Sequence, residues 1–219
     1  MATRLLLAEL VSAYEQRSGA SVVIESVGGV DAAKRIMADE PFDLVVLASD
    51  ALHKLTAAGK VLAGSVVDLV YSGVAVAVKA GVPRPDIGSE DAVRQAVLAA
   101  RTISYSTGPS GVALSAMFER WGIADAVRDR IVQAPPGVPV GALVARGEVE
   151  LGFQQLSELL HVQGITLLGP LPPEIQITTT FSAGVCARAA QPEAARALIT
   201  FMASSDADDA KRCQGMDPA

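Results

Sequence analysis

The sequence has no hydrophobic run long enough to cross a membrane. Half of its 219 residues are hydrophobic and the mean hydropathy is +0.36, but these residues are mainly Ala, Val and Leu, and Gly, Pro or a charge interrupts them every few positions. A membrane-spanning helix needs roughly 18 to 20 apolar residues in succession. We therefore exclude a transmembrane helix and predict a globular chain that buries a sizeable core, either as one domain or as two small lobes.

The sequence also lacks a cluster of basic residues. Its 18 Lys and Arg are scattered among 24 Asp and Glu, which gives a net charge of −6. A nucleic-acid-binding surface requires basic residues gathered on one face, so nucleic acid is not predicted as a partner. A small anion remains an acceptable ligand, because helix N-termini and backbone N–H groups create local positive potential whatever the net charge.

Cysteine and histidine are scarce. Two cysteines, Cys186 and Cys213, are too few for a disulfide framework or a zinc cluster. A single disulfide between them is compatible with the sequence, but we predict two unpaired thiols. His53 and His161 have no Cys or carboxylate partner at metal-ligand or catalytic spacing. We predict no metal, no cofactor and no catalytic nucleophile.

Short β-rich runs alternate with helical patterns, which is typical of an α/β fold with a mostly parallel sheet. Helices are predicted at 3–18, 30–40, 50–58, 89–100, 111–122 and 138–147, with two more at the C-terminus. Strands are predicted at 21–26, 43–49, 65–72, 73–81, 102–106, 130–133, 149–153, 165–169 and 176–188. No strand precedes the first helix, although a βαβ unit normally opens with one, so we expect that the opening strand is missing.

Ligands of open parallel sheets bind beyond the carboxyl ends of the strands, where helix N-termini point outwards. At the first such junction, Thr3 offers a capping hydroxyl and Arg4 a guanidinium for an oxyanion; the alternative is a frayed terminus. At the second, Val27, Gly28 and Gly29 let the backbone approach a ligand closely; the alternative is an ordinary tight turn.

The third junction, at residues 105–111, is the most specific. Ser106, Thr107, Ser110 and Gly111 lie between a strand and an amphipathic helix, and hydroxyls with flexible backbone suit an anion. The alternative is that Ser110 merely caps the helix. The segment lacks the G-x-x-x-x-G-K pattern, which disfavours a nucleotide triphosphate.

The fourth junction follows the strand predicted at 149–153. Gln154 and Gln155 offer amide donors to an oxyanion there. The alternative, a glutamine that caps a helix on the surface, fits the sequence equally well.

Several strings along the chain are similar to one known family. They are LLLAELVSAYEQRSG, PFDLVVLASDALHKLTAAGKV, GALVARGEVELGFQQLSEL and AGVCARAAQPEAARALITFMASSDADDAKRCQGMDP. With the order of elements, they resemble the molybdate-binding-protein-like members of the type II periplasmic solute-binding proteins. The resemblance covers essentially the whole chain.

The resemblance implies two lobes, each a mostly parallel sheet flanked by helices, with the ligand cleft between them. Lobe 1 would comprise residues 1–73 and a return segment at 176–219, and lobe 2 residues 74–175. Closure on a small anion would present the protein to an ABC transporter permease. The resemblance implies a periplasmic location for the full-length precursor; the chain as given carries no export signal. A monomer is our default expectation.

The ligand loops depart from those of molybdate binders. The Ser-Ser pair of the opening strand is absent, Val27-Gly28-Gly29 replaces a Ser-Ser-Gly type loop, and Gln154 or Gln155 stands where a tyrosine is expected. A molybdate-like oxyanion and an organic carboxylate therefore both remain candidate ligands for uptake.

Two alternatives to uptake remain open. Some relatives resemble aconitate isomerases, which move a proton along an unsaturated tricarboxylate without a cofactor. Such an enzyme needs a general base, for which the sequence offers carboxylates such as Asp31 and Asp50; no catalytic residue is assigned. The other alternative is a cytoplasmic anion sensor.

Overall fold

Helices and strands alternate along residues 1–134 and 138–219, which are the residues described by the computed structural model of this chain. The helices are α1 (Arg4–Ser18), α2 (Gly29–Met37), α3 (Ser49–Ala57), α4 (Glu90–Ala99), α5 (Pro109–Arg120), α6 (Ala124–Val127), α7 (Val140–Arg146), α8 (Leu156–Leu159), α9 (Pro192–Ala203) and α10 (Asp208–Cys213). The strands are β1 (Leu44–Ala48), β2 (Val67–Lys79), β3 (Ile103–Tyr105), β4 (Leu151–Gln155), β5 (Ile165–Pro170), β6 (Thr178–Val185) and β7 (Asp217–Pro218).

The chain divides into two compact units. Unit 1 consists of Met1–Ser72 and Thr179–Ala219, and unit 2 of Gly73–Thr178. The first division falls inside β2 and the second at the start of β6, so each of these strands contributes residues to both units.

Unit 1 is built on antiparallel pairing. β1 pairs with β6 from Leu44 opposite Val185 to Ala48 opposite Phe181, and β7 pairs with β2. Helix α1 buries Leu6, Leu7 and Leu10, which lie on one face at helical spacing. These side chains pack in one core with residues of α9, so the first and last thirds of the chain stabilise each other.

Unit 2 is a mixed sheet. β3 and β4 are parallel, whereas β2 runs antiparallel to both β4 and β5. Its core gathers around Phe118 of α5 and Phe153 of β4. On β4, a Cβ at Gly152 would lie 2.5 Å from the side chain of Val144 in α7, so the glycine lets α7 pack closely on the strand.

The prediction of a mostly parallel sheet in each lobe was wrong for strand direction. β3 with β4 and a bridge between Ile103 and Ile131 are parallel, whereas β1 with β6, and β2 with β4, β5 and β7, are antiparallel. Hydrophobic periodicity identifies a strand but does not encode its direction. The crossover through α5 and α7 makes β3 and β4 parallel as expected, but β2 runs the opposite way beside β4.

Three strand predictions also need correction. Residues 130–133 form only a single bridge, between Ile131 and Ile103. Residues 21–26 are rich in Val and Ile but form no strand, because a strand exists only through backbone pairing and no pairing of the described residues includes them. The runs predicted at 65–72 and 73–81 are one continuous strand, β2, since Gly73 continues in extended conformation.

Both cysteines are free thiols. Cys186 is buried, and burial raises its pKa to about 11, whereas Cys213 is exposed.

A partly exposed ion cluster joins the start of α4 to the end of α5. Ser89 caps α4 by accepting a hydrogen bond from the Ala92 N–H. The Glu90 carboxylate accepts hydrogen bonds from Trp121 Nε1 at 2.6 Å and from Arg120 at 2.7 Å. The Trp121 N–H, followed by Arg120, lowers the pKa of Glu90.

Glu90→Gln is expected to remove a pH-dependent part of the stability. A carboxyl whose folded pKa is lowered stabilises the fold above its ordinary range, and this contribution is lost as the pH falls through the folded pKa. Thermal unfolding should therefore show a lower midpoint for the variant at about pH 7 and a much smaller difference at about pH 3. Glu119→Gln, at an exposed position of α5, is the control; an equal effect of both variants would contradict a specific role for Glu90.

Candidate functional site

The carboxyl ends of β3 and β4 meet at one edge of the unit 2 sheet. The two strands are parallel, and the last residue of β3, Tyr105, lies opposite Phe153 of β4. Residues 106–111 follow β3, and residues 154–158 end β4 and form most of α8. We call these the 106–111 loop and the 154–158 segment. Six of the residues predicted from the sequence to bind a ligand therefore lie at this one edge: Ser106, Thr107, Ser110, Gly111, Gln154 and Gln155.

The 106–111 loop is closed tightly on itself. The hydroxyls of Ser106 and Ser110 are 3.0 Å apart and share a hydrogen bond. A Cβ added to Gly111 would lie 1.6 Å from the Ser106 carbonyl oxygen, so the loop accepts no side chain at this position. Thr107 is exposed and Ser110 is buried. The loop thus places two paired hydroxyls at the entry to α5.

Helix α5 begins two residues earlier than predicted. Pro109 is its first residue, which suits a proline because the first helical N–H has no partner within the helix. Gly108 is the N-cap residue, and its carbonyl accepts hydrogen bonds from the N–H groups of Gly111 and Val112. Ser110 is therefore not the cap of the helix, and its hydroxyl bonds to Ser106 instead.

The glutamines of the 154–158 segment lie inside β4 and not after it. Both are 4% exposed, and Gln155 pairs with Val74 of β2. The side-chain oxygen of Gln154 accepts a hydrogen bond from the Gly141 N–H in the first turn of α7, at 3.1 Å. Its amide also hydrogen-bonds the carboxyl of Glu158. The amide expected to face a ligand is thus engaged within the protein on both sides.

Glu158 was not found from the sequence. It lies in α8, is half-buried, and burial raises the pKa of its carboxyl above the ordinary value; the hydrogen bond with Gln154 opposes this rise. The signal available in the sequence was the spacing of Gln154 and Glu158, which are four residues apart across the end of a strand. This spacing brings the two side chains together only because α8 begins immediately after β4.

The residues predicted at the first junction belong to unit 1. Thr3 is the N-cap residue of α1, but its hydroxyl makes no capping hydrogen bond, so the predicted cap was wrong. The reason is its backbone: φ −86° and ψ 0° are helical angles, whereas a capping side chain requires an extended N-cap residue. Thr3 is buried and Arg4 is exposed.

The residues of the second junction also belong to unit 1. Val27 is exposed, Gly28 is the N-cap residue of α2 and Gly29 is its first residue. A Cβ at Gly29 would lie 3.8 Å from the Leu47 side chain near the end of β1, which is ordinary contact, so space does not require a glycine there.

Arg35 of α2 anchors residues 21–28 through an ion pair with Glu25. Its guanidinium contacts Glu25 and Glu40, each at 2.7 Å, and lies 4.7 Å from the ring centroid of Phe42. The hydrogen bonds to Glu25 and then Glu40 raise the pKa of Arg35. Residues 21–28 are thus held to α2 by an ion pair although they form no strand.

The alternative catalytic candidates, Asp31 and Asp50, are both exposed in the first turns of α2 and α3. Neither belongs to a cluster of metal ligands: within residues 1–134 and 138–219, no group of three or more His, Cys, Asp or Glu side chains could hold a metal ion. In the same part of the chain, no helix has both the length and the apolar character needed to cross a bilayer.

Comparison with known proteins identifies the class of this chain. The family model described as bacterial extracellular solute-binding protein matches residues 1–217. The chain therefore belongs to that family. It is also 41% identical to a protein of Pseudomonas sp. named aconitate isomerase, in an alignment of 216 residues that covers 96% of this chain and 82% of the relative.

Solved structures show the fold. The periplasmic molybdate-binding protein of Azotobacter vinelandii superposes with a TM-score of 0.81 at 20% identity, covering 98% of this chain and 95% of that one. A substrate-binding domain assigned to a molybdenum ABC transporter of Clostridium difficile gives 0.78 at 15% identity, covering 100% and 95%. The predicted α/β type II periplasmic binding protein fold and the resemblance to molybdate-binding-like members are confirmed.

Proposed function

We propose that this protein binds a small organic anion with several carboxylates, of the aconitate type, at the edge formed by the 106–111 loop and the 154–158 segment. The observation that carries the proposal is the 106–111 loop itself. It presents the Ser106 and Ser110 hydroxyls at the N-terminus of α5, a helix of 12 residues. Helix N-termini favour anions because the helix dipole is positive there.

The choice of a carboxylate over molybdate is supported by the relative from Pseudomonas. That protein is named for aconitate, and its identity to this chain is 41%, against 20% and 15% for the two molybdenum-related structures. In this proposal, Thr3, Arg4 and the Val27 to Gly29 segment of unit 1 also contribute ligand contacts. Arg4 would supply the cation, because a guanidinium forms two parallel hydrogen bonds with a carboxylate.

The role in uptake is part of the same proposal. Members of a family of extracellular solute-binding proteins deliver their ligand to a membrane transporter, here an ABC-type permease. The protein would act in the periplasm as a monomer, and closure of its lobes on the anion would create the surface that the permease recognises.

A second candidate function is the isomerisation of the bound tricarboxylate without a cofactor. Two observations favour it. The relative at 41% identity is named an isomerase. Unit 2 also holds a half-buried carboxyl with a raised pKa, Glu158, in the segment proposed to face the ligand.

Binding can be tested by isothermal titration calorimetry with molybdate, sulfate, citrate, cis-aconitate and trans-aconitate. We expect heat from the tricarboxylates and none from molybdate or sulfate. Ser110→Ala should weaken tricarboxylate binding by about 10-fold or more, because a hydrogen bond to a charged group contributes roughly 1.5–3 kcal/mol. Ser115→Ala, one turn further along α5, should leave the affinity unchanged.

Binding of molybdate in preference to every tricarboxylate would contradict the proposed ligand. Equal loss of affinity in Ser110→Ala and Ser115→Ala would contradict the proposed site, because the second serine makes no contact with the 106–111 loop among the hydrogen bonds of the described residues.

A further inference from the structure

Glu158 differs from the other carboxyl groups whose pKa is shifted. Asp39, Glu90, Glu148 and Glu150 each have a lowered pKa, and hydrogen bonds from Lys, Arg or Trp side chains are the largest cause. Glu158 is shifted in the opposite direction, because burial disfavours its charged form, and the hydrogen bond from Gln154 offsets only part of this rise. A carboxyl of this kind exchanges its proton closer to neutral pH than an exposed one.

The surroundings of Glu158 fix its position. Gln154 accepts a hydrogen bond from the Gly141 N–H with one end of its amide and bonds Glu158 with the other. The hydrogen bond from Gln154 lowers the pKa of Glu158 and so favours the carboxylate form, which means that the amide donates to it through its NH₂ group. One hydrogen bond therefore joins the Glu158 carboxyl to Gln154, and a second joins Gln154 to α7.

The location matches the proposed ligand. Glu158 is the third residue of α8, the helix that follows β4 directly. β4 is the parallel neighbour of β3, from which the 106–111 loop departs. An anion held at the start of α5 would thus lie at the edge of the sheet that also carries α8. Glu158 is half-buried, which leaves part of its side chain accessible.

We propose that Glu158 is the proton-transfer residue of this protein, and that it shifts a proton between two carbons of a bound unsaturated tricarboxylate. This inference rests on the second candidate function given above. It assigns the reaction to one side chain, with Gln154 as the residue that positions it.

The proposed step balances without a cofactor. The Glu158 carboxylate removes a proton from the CH₂ carbon next to the double bond, and the C–H electron pair becomes the new C=C bond. The electrons of the old double bond move to its far carbon, which takes a proton back from the Glu158 carboxyl. The tricarboxylate keeps its composition and Glu158 is returned to its starting state. Carboxylates on the substrate stabilise the intermediate carbanion by delocalising its charge.

The test compares the full chain with Glu158→Gln, using cis- and trans-aconitate as the probes. Conversion is followed by ¹H NMR in D₂O, which reports both isomerisation and deuterium entry at carbon, and binding is measured separately by calorimetry. We expect the variant to lose about 100-fold or more in kcat while its Kd for aconitate changes by less than about threefold. The thermal midpoint should not fall, because Gln keeps the shape of the side chain and removes a buried charge.

Two further variants sharpen the result. Glu119→Gln makes the same chemical change at an exposed position of α5 and should keep full activity. Glu158→Asp retains the carboxylate but withdraws it by one methylene, and its kcat should fall between those of the wild type and Glu158→Gln.

Each outcome decides the inference. Wild-type turnover that persists in Glu158→Gln within about threefold would overturn the role of Glu158 and leave the isomerase function standing. Absence of both conversion and deuterium entry in the wild type would overturn the inference as well, and the calorimetric heat would then show separately whether the proposed binding function holds. A variant that loses kcat and thermal stability together would assign Glu158 a structural role instead.

Discussion

Gly111→Ala is expected to destroy ligand binding and to destabilise unit 2. The added Cβ would lie 1.6 Å from the Ser106 carbonyl oxygen, and that oxygen belongs to the backbone, so no side-chain rotation relieves the clash. Either the loop opens or α5 shifts, and both separate the Ser106 and Ser110 hydroxyls. Overpacking of this kind costs about 1–3 kcal/mol or more. We expect a fall of that size in the free energy of unfolding in urea, and no calorimetric heat with aconitate.

Gly108→Ala is the matched control in the same loop. A Cβ there would meet its nearest atom, Ser106 Oγ, at 3.9 Å, and its φ of −82° is open to any residue. The cost should stay below about 1 kcal/mol, the usual difference between glycine and alanine at an N-cap. If Gly108→Ala and Gly111→Ala lower the free energy of unfolding equally, the close backbone contact at Gly111 does not determine the conformation of the loop.

Phe118→Ala is expected to have the largest effect on stability, about 3–5 kcal/mol. Phe118 is 1% exposed, and its ring lies 5.9 Å from Tyr105, 6.4 Å from Phe153 and 6.0 Å from Trp121 between ring centroids. Truncation leaves a cavity among three aromatic rings and removes the contact by which α5 packs on both β3 and β4. The 106–111 loop would then lose its support from the helix that follows it.

The chain offers a direct probe for this experiment. Trp121 is its one tryptophan and belongs to unit 2, so intrinsic fluorescence during urea unfolding reports on that unit. Val112→Ala shortens a side chain of the same helix that is 68% exposed, and should change the free energy of unfolding by no more than about 0.5 kcal/mol. A small change for both variants would mean that the aromatic cluster does not fasten α5.

Much of the fold could be predicted because its signals are local. The first helix ends at Gly19 with φ 71°, as the glycine after its last apolar position indicated. Ser89 caps α4 where Ser precedes Glu and Asp. Residues 21–26 show the limit of local signals, since high β-propensity gives a strand only where another segment supplies backbone partners. The prediction of strand direction in unit 2 was wrong for the same reason, since direction also depends on which segments pair.

The candidate site could be predicted only in part. Hydroxyls and glycines between a strand and a helix marked the 106–111 loop, and their spacing is visible in the sequence. The engagement of Gln154 was not visible, because its partner Gly141 is 13 residues away in a helix whose placement depends on the packing of Gly152. Glu158 was missed because a raised pKa comes from burial, which a sequence does not show. The roles of all these residues in binding stay predictions until tested.

The arrangement of the two units in the chain also sets an order of events during synthesis. Unit 2 is one continuous stretch, whereas unit 1 needs Thr179–Ala219 to complete the sheet begun at β1 and to cover the leucines of α1. A ribosome adds about 5–20 residues per second, so the first 72 residues wait for several seconds with apolar surface uncovered. The nascent chain therefore has to be kept from aggregating until its last helices emerge.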